Sequence, residues 1–286
     1  MMRLSEYILL AVMALIFPFA GAYAAGSQDS SSAPAAVSPE AMIAEADSAY
    51  AHSEFERTIS LYTEVMKQTG VSASLLFNLG NAYYRSGNEG EARLCLERAK
   101  RLDPSDRRIS QNIDYLASRI EDANKAEMKG KKGSVAPDAP GFFGRIDRSI
   151  SENTSSDTWA TLGVISFLLL ILAMSAYLFG TSVRLKKIGF FSGIVLLILS
   201  VVFVVFAEMA SAHFSSEDEA VLMQFKATLS AEPEPDAPAV GFPLHRGTKF
   251  RVLDSELNAE GETGWYKVEL NHNNVGWIPA SAVTII

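Results

Sequence analysis

Residues 78–106, NLGNAYYRSGNEGEARLCLERAKRLDPSD, decide how the N-terminal half of this 286-residue chain folds. Leu79, Tyr83, Leu96 and Ala99, with Leu76 just upstream, recur at the three- and four-residue intervals that line apolar side chains along one helix face. Gly87 permits a turn between two such helices, and Pro104 ends the second because its ring cannot continue a helix. Small residues at Gly80 and Ala92 allow the two helices to approach closely. The stretch therefore reads as a helical hairpin with large side chains set against small ones.

Leu76, Leu79, Gly80, Tyr83, Ala92, Leu96, Ala99 and Pro104 fall on the spacing of the tetratricopeptide repeat, and the segment resembles that repeat, with Leu76 and Leu96 replacing the more usual Trp and aromatic. A weaker copy precedes it, with Ile43, Ala46, Tyr50, Phe55, Thr58, Tyr62 and Val65 in matching places, no glycines, and an interhelix loop one residue shorter. A further helix from Ser105 to about Ile120 puts Ile109, Ile113, Leu116 and Ile120 on one stripe, with Arg107, Arg108, Asp114 and Arg119 elsewhere, as a capping helix should. The repeat domain is expected over residues 40–122. Two repeats are few for a solenoid, so added stability is expected from the cap, from self-association or from a partner. The resemblance implies a concave binding face formed by first helices. Matching the repeat by position puts Phe77, Asn81, Tyr84 and Arg85 there, with Ser48 and His52 from the first hairpin, as a candidate groove for a peptide or protein terminus. Phe77 and Tyr84 can equally pack between hairpins.

Three apolar blocks place the chain in a membrane. Arg3, the run Tyr7 to Phe19 and Ala22-Tyr23-Ala24 read as an export signal over residues 1–24, with an uncleaved anchor as the competing reading. A Ser/Ala/Pro-rich linker (25–39) is expected to be disordered. Trp159 to Phe179 and Ile188 to Ala207 are uncharged and each about 20 residues long, enough to cross roughly 30 Å of hydrocarbon. Transmembrane helices are expected at 158–180 and 188–208. The connection at 181–187 carries Arg184, Lys186 and Lys187, whereas Asp157, Glu208 and Glu217-Asp218-Glu219 lie at the other ends, so positive charge places the connection in the cytoplasm and both flanking segments outside. The export signal gives the same topology independently. Within the 123–157 linker, Phe142, Phe143, Ile146 and Ile150 recur at helical spacing, consistent either with an interfacial helix or with a solvated linker.

From residue 217 to 286 the pattern changes to short alternating runs: Ala220 to Gln224, Ala227 to Ser230, Thr248 to Leu253, Trp265 to Leu270 and Val275 to Ile278, separated by Pro, Gly, Asn and Glu clusters. An all-β domain follows. Its segments GTKFRVLD, GWYKVEL and VGWIPASAV resemble a bacterial SH3-like barrel, and Gly276-Trp277-Ile278-Pro279 carries the resemblance most specifically. That likeness implies an aromatic groove for cell-wall peptides or proline-containing ligands, with Trp265, Tyr266 and Trp277 as its candidate residues. The tryptophans can instead serve the core of so small a barrel. The fold class expected overall is multi-domain: all-α tetratricopeptide hairpins, two transmembrane helices and a C-terminal SH3-like barrel.

A net charge of -8 argues against nucleic acid, which requires clustered Lys and Arg. One cysteine, Cys95, excludes an intramolecular disulfide and a cysteine-based zinc site, and reads as a small buried hydrophobe. His52, His213, His245 and His272 are scattered, and no triad, carboxylate pair, phosphate loop or metal cluster has recognisable spacing, so no catalytic residue, metal or cofactor is expected. The order of signal, tetratricopeptide hairpins, FFGRIDRSISENT, two spans and terminal barrel resembles the BatE proteins of the Bacteroides aerotolerance operons. The resemblance implies a non-enzymatic scaffold in the bacterial inner membrane, with both large domains periplasmic. Its implied partners are von Willebrand A-domain membrane proteins served by a MoxR-type ATPase, in support of envelope stress or oxygen tolerance. Peptidoglycan attachment or sensing through the barrel is the alternative, and an accessory subunit of an envelope enzyme a third.

Overall fold

A computed structural model of the chain describes residues 38–128, 141–142, 145, 150, 154–215, 218–258 and 261–286. The expected export signal at 1–24, the linker up to residue 37, and Phe143 and Ile146 of the amphipathic stretch lie outside the described residues.

Five helices form the first module: α1 (Pro39–Ala51), α2 (Phe55–Thr69), α3 (Ala73–Arg85), α4 (Glu89–Leu102) and α5 (Arg107–Glu127). Their starts follow from local chemistry. The Ser38 hydroxyl accepts from Ala41 N at 3.3 Å, with Pro39 leading the helix, and the Ser72 hydroxyl accepts from Leu75 N at 3.2 Å. In α4, Glu89 and Glu91 sit in the first turn and Lys100 and Arg101 in the last, matching the helix dipole. The core runs through both hairpins: Met42, Ala46, Tyr62, Val65, Leu75, Leu76, Leu79, Cys95, Ala99 and Ile109 form one cluster, and Ala92, Leu96, Leu116 and Ile120 a second. The first hairpin thus packs like the second despite lacking its glycines, because Ala46 and Thr58, both fully buried, supply the small residues at the crossing. At Gly80 an added Cβ would lie 3.1 Å from Leu96 Cγ and 3.3 Å from the Ala92 carbonyl, so α3 and α4 touch at the level where close approach was expected. Helix α5 runs on to Glu127, past Ile120 where its apolar stripe ends. Its last two turns bury the polar Asn124, whose partners lie in the C-terminal module, a contact that helical periodicity does not encode.

Helices α6 (Ser156–Phe179) and α7 (Val183–Ser215) pack side by side and are long and apolar enough to cross a membrane. The bend is confined to residues 180–182, so Arg184, Lys186 and Lys187 occupy the first turns of α7 rather than an irregular loop. Long basic side chains tolerate that position by extending toward water. At 33 residues α7 is about 50 Å long, exceeding the ~30 Å hydrocarbon layer, so it continues past Ala207 as a regular helix. Trp159 stacks on Phe203 at 6.0 Å and meets Phe206 edge-on at 5.2 Å.

The C-terminal module is one antiparallel sheet of seven strands: β1 (Glu219–Leu222), β2 (Lys226–Ser230), β3 (Ala239–His245), β4 (Lys249–Leu257), β5 (Thr263–Asn271), β6 (Asn274–Pro279) and β7 (Val283–Ile285), in the order β3-β2-β6-β5-β4-β1-β7. Ala220, Leu222, Leu229, Phe242, Leu244, Phe250, Val268, Leu270, Ile278 and Val283 share a single core, so the sheet curls around side chains from every strand. Five strands were expected and seven form. Strand β3 escapes a pattern reading because Gly241 and Pro243 interrupt it, and the sheet accepts that proline because β3 lies at the edge and pairs only with β2. Strand β7 has only three residues and is defined by its pairing with β1.

Candidate functional site

The residues proposed from the repeat are aligned along α3, and three of them meet side chains of α5. Arg108 lies over the Phe77 ring at 5.3 Å, Asn112 Nδ2 donates to Asn81 Oδ1 at 2.6 Å, and the Tyr84 hydroxyl donates to the Tyr115 hydroxyl at 3.2 Å. Three side chains at helical spacing on α3 thus meet three on α5. Phe77 also packs against both helical core clusters, so it is half-buried floor rather than free surface. Asn81 and Asn112 satisfy one amide interaction with each other and still carry the second Nδ2 hydrogens and carbonyl lone pairs that a peptide backbone can use. The hydrogen bond from Tyr84, together with Arg119, lowers the Tyr115 hydroxyl from its ordinary value, and the same bond raises that of Tyr84. Arg85 is held apart from this row, over the Phe55 ring at 5.3 Å. Ser48 and His52 are exposed and tied to each other, His52 Nδ1 lying 2.8 Å from the Ser48 carbonyl. Arg108, Asn112 and Tyr115 were missed because the helix carrying them read only as a cap. Their spacing of four and three residues on the polar face was the available signal.

The three aromatics proposed for the β-module do not share one face. Strand pairing sets Trp265 opposite Pro279, Tyr266 opposite Ile278 and Lys267 opposite Trp277. Alternation along a strand therefore sends Trp265, Lys267, Trp277 and Pro279 outward, while Tyr266 packs on the inner core. Both tryptophans are half-buried, and Lys267 Nζ lies 5.9 Å from the Trp277 ring centre. The outer face can stack a ligand, and Tyr266 supports it from below.

A third site joins the modules. Arg93 Nε donates to Glu97 Oε1 at 2.7 Å, and Lys249 Nζ bridges Glu97 at 3.3 Å and Glu219 at 2.8 Å. Burial pushes the Glu97 carboxyl up, but the Lys249 ammonium and Arg93 guanidinium outweigh it and hold the group down at about 2. Around this network, Asn124 Oδ1 accepts from His245 N at 2.8 Å and its Nδ2 donates to Thr248 Oγ1 at 3.0 Å. Arg246 Nη1 donates to Asn88 Oδ1 at 2.7 Å, and Lys226 Nζ meets Glu127 at 2.5 Å. Leu94, Val221 and Ile286 add an apolar cluster, and Met128 packs against the β core. The repeat and the β-module therefore fold against each other. Residues this far apart in the chain left no periodic signal. Among the described residues no group of three or more His, Cys, Asp or Glu comes together as a metal site would require.

A search of curated proteins finds no match to this chain. Two segments match known families: residues 73–106, the second hairpin and the turn after it, match the tetratricopeptide repeat, and residues 225–286, from the start of β2 onward, match the variant SH3 domain. The chain therefore carries a tetratricopeptide repeat and a variant SH3 domain, two modules through which proteins bind other proteins.

Proposed function

We propose that this chain is a non-enzymatic, membrane-anchored scaffold that holds protein partners on the outer side of a bacterial cytoplasmic membrane. The observation that carries the reading is the contact between the two modules. The repeat precedes the α6–α7 pair and the β-module follows it, so the packing of the two modules on each other supports a helix pair that crosses twice and returns the chain to the side it left. Basic residues at the bend then favour a cytoplasmic turn and a periplasmic location for both modules. The α3–α5 groove and the outer tryptophan face remain as the surfaces for partners. The resemblance to BatE proteins extends this to a complex of von Willebrand A-domain membrane proteins served by a MoxR-type ATPase, acting in aerotolerance or envelope stress. Crosslinking in native membranes should recover protein partners that vanish when residues 40–122 are deleted, and a phosphatase reporter fused after Ile286 should be active only when exported. An unchanged crosslinking profile, or a reporter active only in the cytosol, removes the reading.

The half-exposed Trp265 and Trp277 favour a second reading, in which the β-module binds peptidoglycan. The intact chain in detergent should then sediment with purified sacculi at physiological salt, and lose this when both tryptophans become alanine.

A further inference from the structure

Where α6 and α7 pack together, the two sides of their contact differ. Residues three or four apart share a flank of a helix, so Phe203 and Phe206 lie on one flank of α7, and Val204 and Glu208 on the other. On the first side, at the end away from the bend, Trp159 stacks on Phe203 and meets Phe206 edge-on, which fills the space between the helices. On the second side a cavity of about 410 Å³ opens between Ala160, Gly163 and Val164 of α6 and Ser200, Ala207 and Glu208 of α7. A further cavity of about 370 Å³ lies nearer the bend, against Ile171, Met174 and Leu197. Ala160, Val164, Phe167, Ile171 and Met174 follow one another at three- and four-residue steps, so both cavities open along one face of α6 as a single groove about 20 Å long. Among the described residues that line it, only Glu208 is charged. Asp157, three residues before Ala160 on the same face, sets a second carboxylate at that end, and the chain has no Lys or Arg between Arg148 and Arg184 or between Lys187 and Lys226.

We infer that this groove seats a membrane-spanning helix of a partner protein, one that carries Lys or Arg at its outer end. The inference rests on the reading of α6 and α7 as a pair that crosses the bilayer, and it adds a site within the membrane to those on the two outer modules. Charge decides against a second copy of this chain, whose own Asp157 and Glu208 would stand at the same level as these and repel them, whereas a basic helix end complements them. Shape favours a helix over a lipid chain. Ala160, Gly163, Ser200 and Ala207 keep the outer half of the groove shallow, so another backbone can approach closely, and in hydrocarbon that packing is what drives helices together. A long basic side chain can follow the groove wall and reach Glu208 at the water boundary.

The test is disulfide crosslinking in phosphatidylcholine liposomes, with the full-length chain carrying Val164→Cys in the groove or Leu162→Cys on the opposite side of α6, about 160° round the helix at nearly the same depth. The native Cys95 is buried in the repeat and stays out of the reaction. The probe is a synthetic Leu/Ala helix of about 22 residues with a cysteine at matching depth and either two Lys or two Glu at its outer end. The Lys-ended peptide should join the groove cysteine at least about fivefold more than the control cysteine, and exchanging its Lys for Glu, or adding Asp157→Asn/Glu208→Gln to the chain, should lower that yield at least about threefold. Equal yields on the two sides of α6, or a yield indifferent to the charge of the peptide end, overturn the inference. Disulfide dimers of the Val164→Cys chain that form in preference to the peptide adduct assign the groove to a second copy and overturn it too. So does phosphatidylethanolamine retained through purification with no peptide crosslinking, which assigns the groove to lipid. Alkaline carbonate extraction separates the two failures: a chain that washes off the liposomes sinks the membrane reading and this inference together, and an inserted chain that ignores the peptide sinks this inference alone.

Discussion

Replacing Lys249 by Met removes one of the two cations that face the buried Glu97 while keeping a side chain of similar length. The folded-state carboxyl of Glu97 stands at about 2 against an ordinary 4.5. A difference of roughly 2.5 units corresponds to about 3 kcal/mol in favour of the charged form. That figure is already net of the burial that opposes it, so Lys249 and Arg93 together contribute more than about 3 kcal/mol. Lys249 is the larger Coulombic contributor, and with its side chain 27% exposed and that of Glu97 only 10%, solvent screens the pair weakly. The expected cost of Lys249→Met at pH 7 is therefore about 2 kcal/mol, somewhat below the ~3–5 kcal/mol of breaking a buried pair outright, because Arg93 stays in place. Urea unfolding of the full chain in detergent, followed by Trp265 and Trp277 emission, measures it. The pH dependence gives a second arm. A carboxylate whose folded value is depressed contributes stability that is complete above its unfolded value and lost as pH falls toward the folded one, so the gap between wild type and variant should close between pH 4.5 and about 2. Adding Glu97→Leu should deepen the loss and not reverse it, since it leaves the equally buried Arg93 guanidinium without its carboxylate. A variant within about 0.5 kcal/mol of wild type at pH 7, or a gap that persists unchanged in acid, would refute this account of the interface.

Burial first, and then the charge of Glu91, push the Cys95 thiol up to about 12, so it stays protonated at pH 8, and an aromatic disulfide reagent should modify the native chain at least about a hundredfold more slowly than the urea-unfolded chain. Equal rates would show that Cys95 is not enclosed. Gly80→Val forces a branched side chain against Leu96 and the Ala92 carbonyl and should cost about 2–3 kcal/mol, read as a lowered midpoint in denaturant unfolding followed by helical circular dichroism. A midpoint like that of wild type would mean that α3 and α4 can separate freely. Leu116→Ala empties a site only 1% exposed in the cluster that holds α5 to α4, at about 2–5 kcal/mol by the same measurement. Less than about 1 kcal/mol would show that α5 is held by the β-module alone.

Local pattern specified most of the elements. The 3.6-residue recurrence of Leu76, Leu79, Tyr83, Leu96 and Ala99 required helices that bury one face, and two uncharged runs near 20 residues required a long apolar hairpin whatever lay around them. Alternation in KFRVL and YKVEL made strands of β4 and β5, because period two puts every second side chain on one face. Each of these signals acts within a few turns or a few residues. Strand β3 fell below that threshold because an edge position supplied the tolerance for Pro243 that its own residues lacked.

Contacts between elements distant in sequence were decided by the tertiary structure. Glu97 and Lys249 are 152 positions apart, and Asn124 and Thr248 are 124 apart. In isolation each of these residues looks like ordinary solvated surface. Only when packing brings them together does their desolvation become tolerable, because each then finds a partner of opposite charge or complementary hydrogen bonding. The same holds for Asn81 and Tyr84: they could be placed on their helix by counting, but the helix opposite them depends on how the array ends. Periodicity determines which face of an element is buried. What that face is buried against depends on shape and charge matching between surfaces, which no short stretch of chain contains.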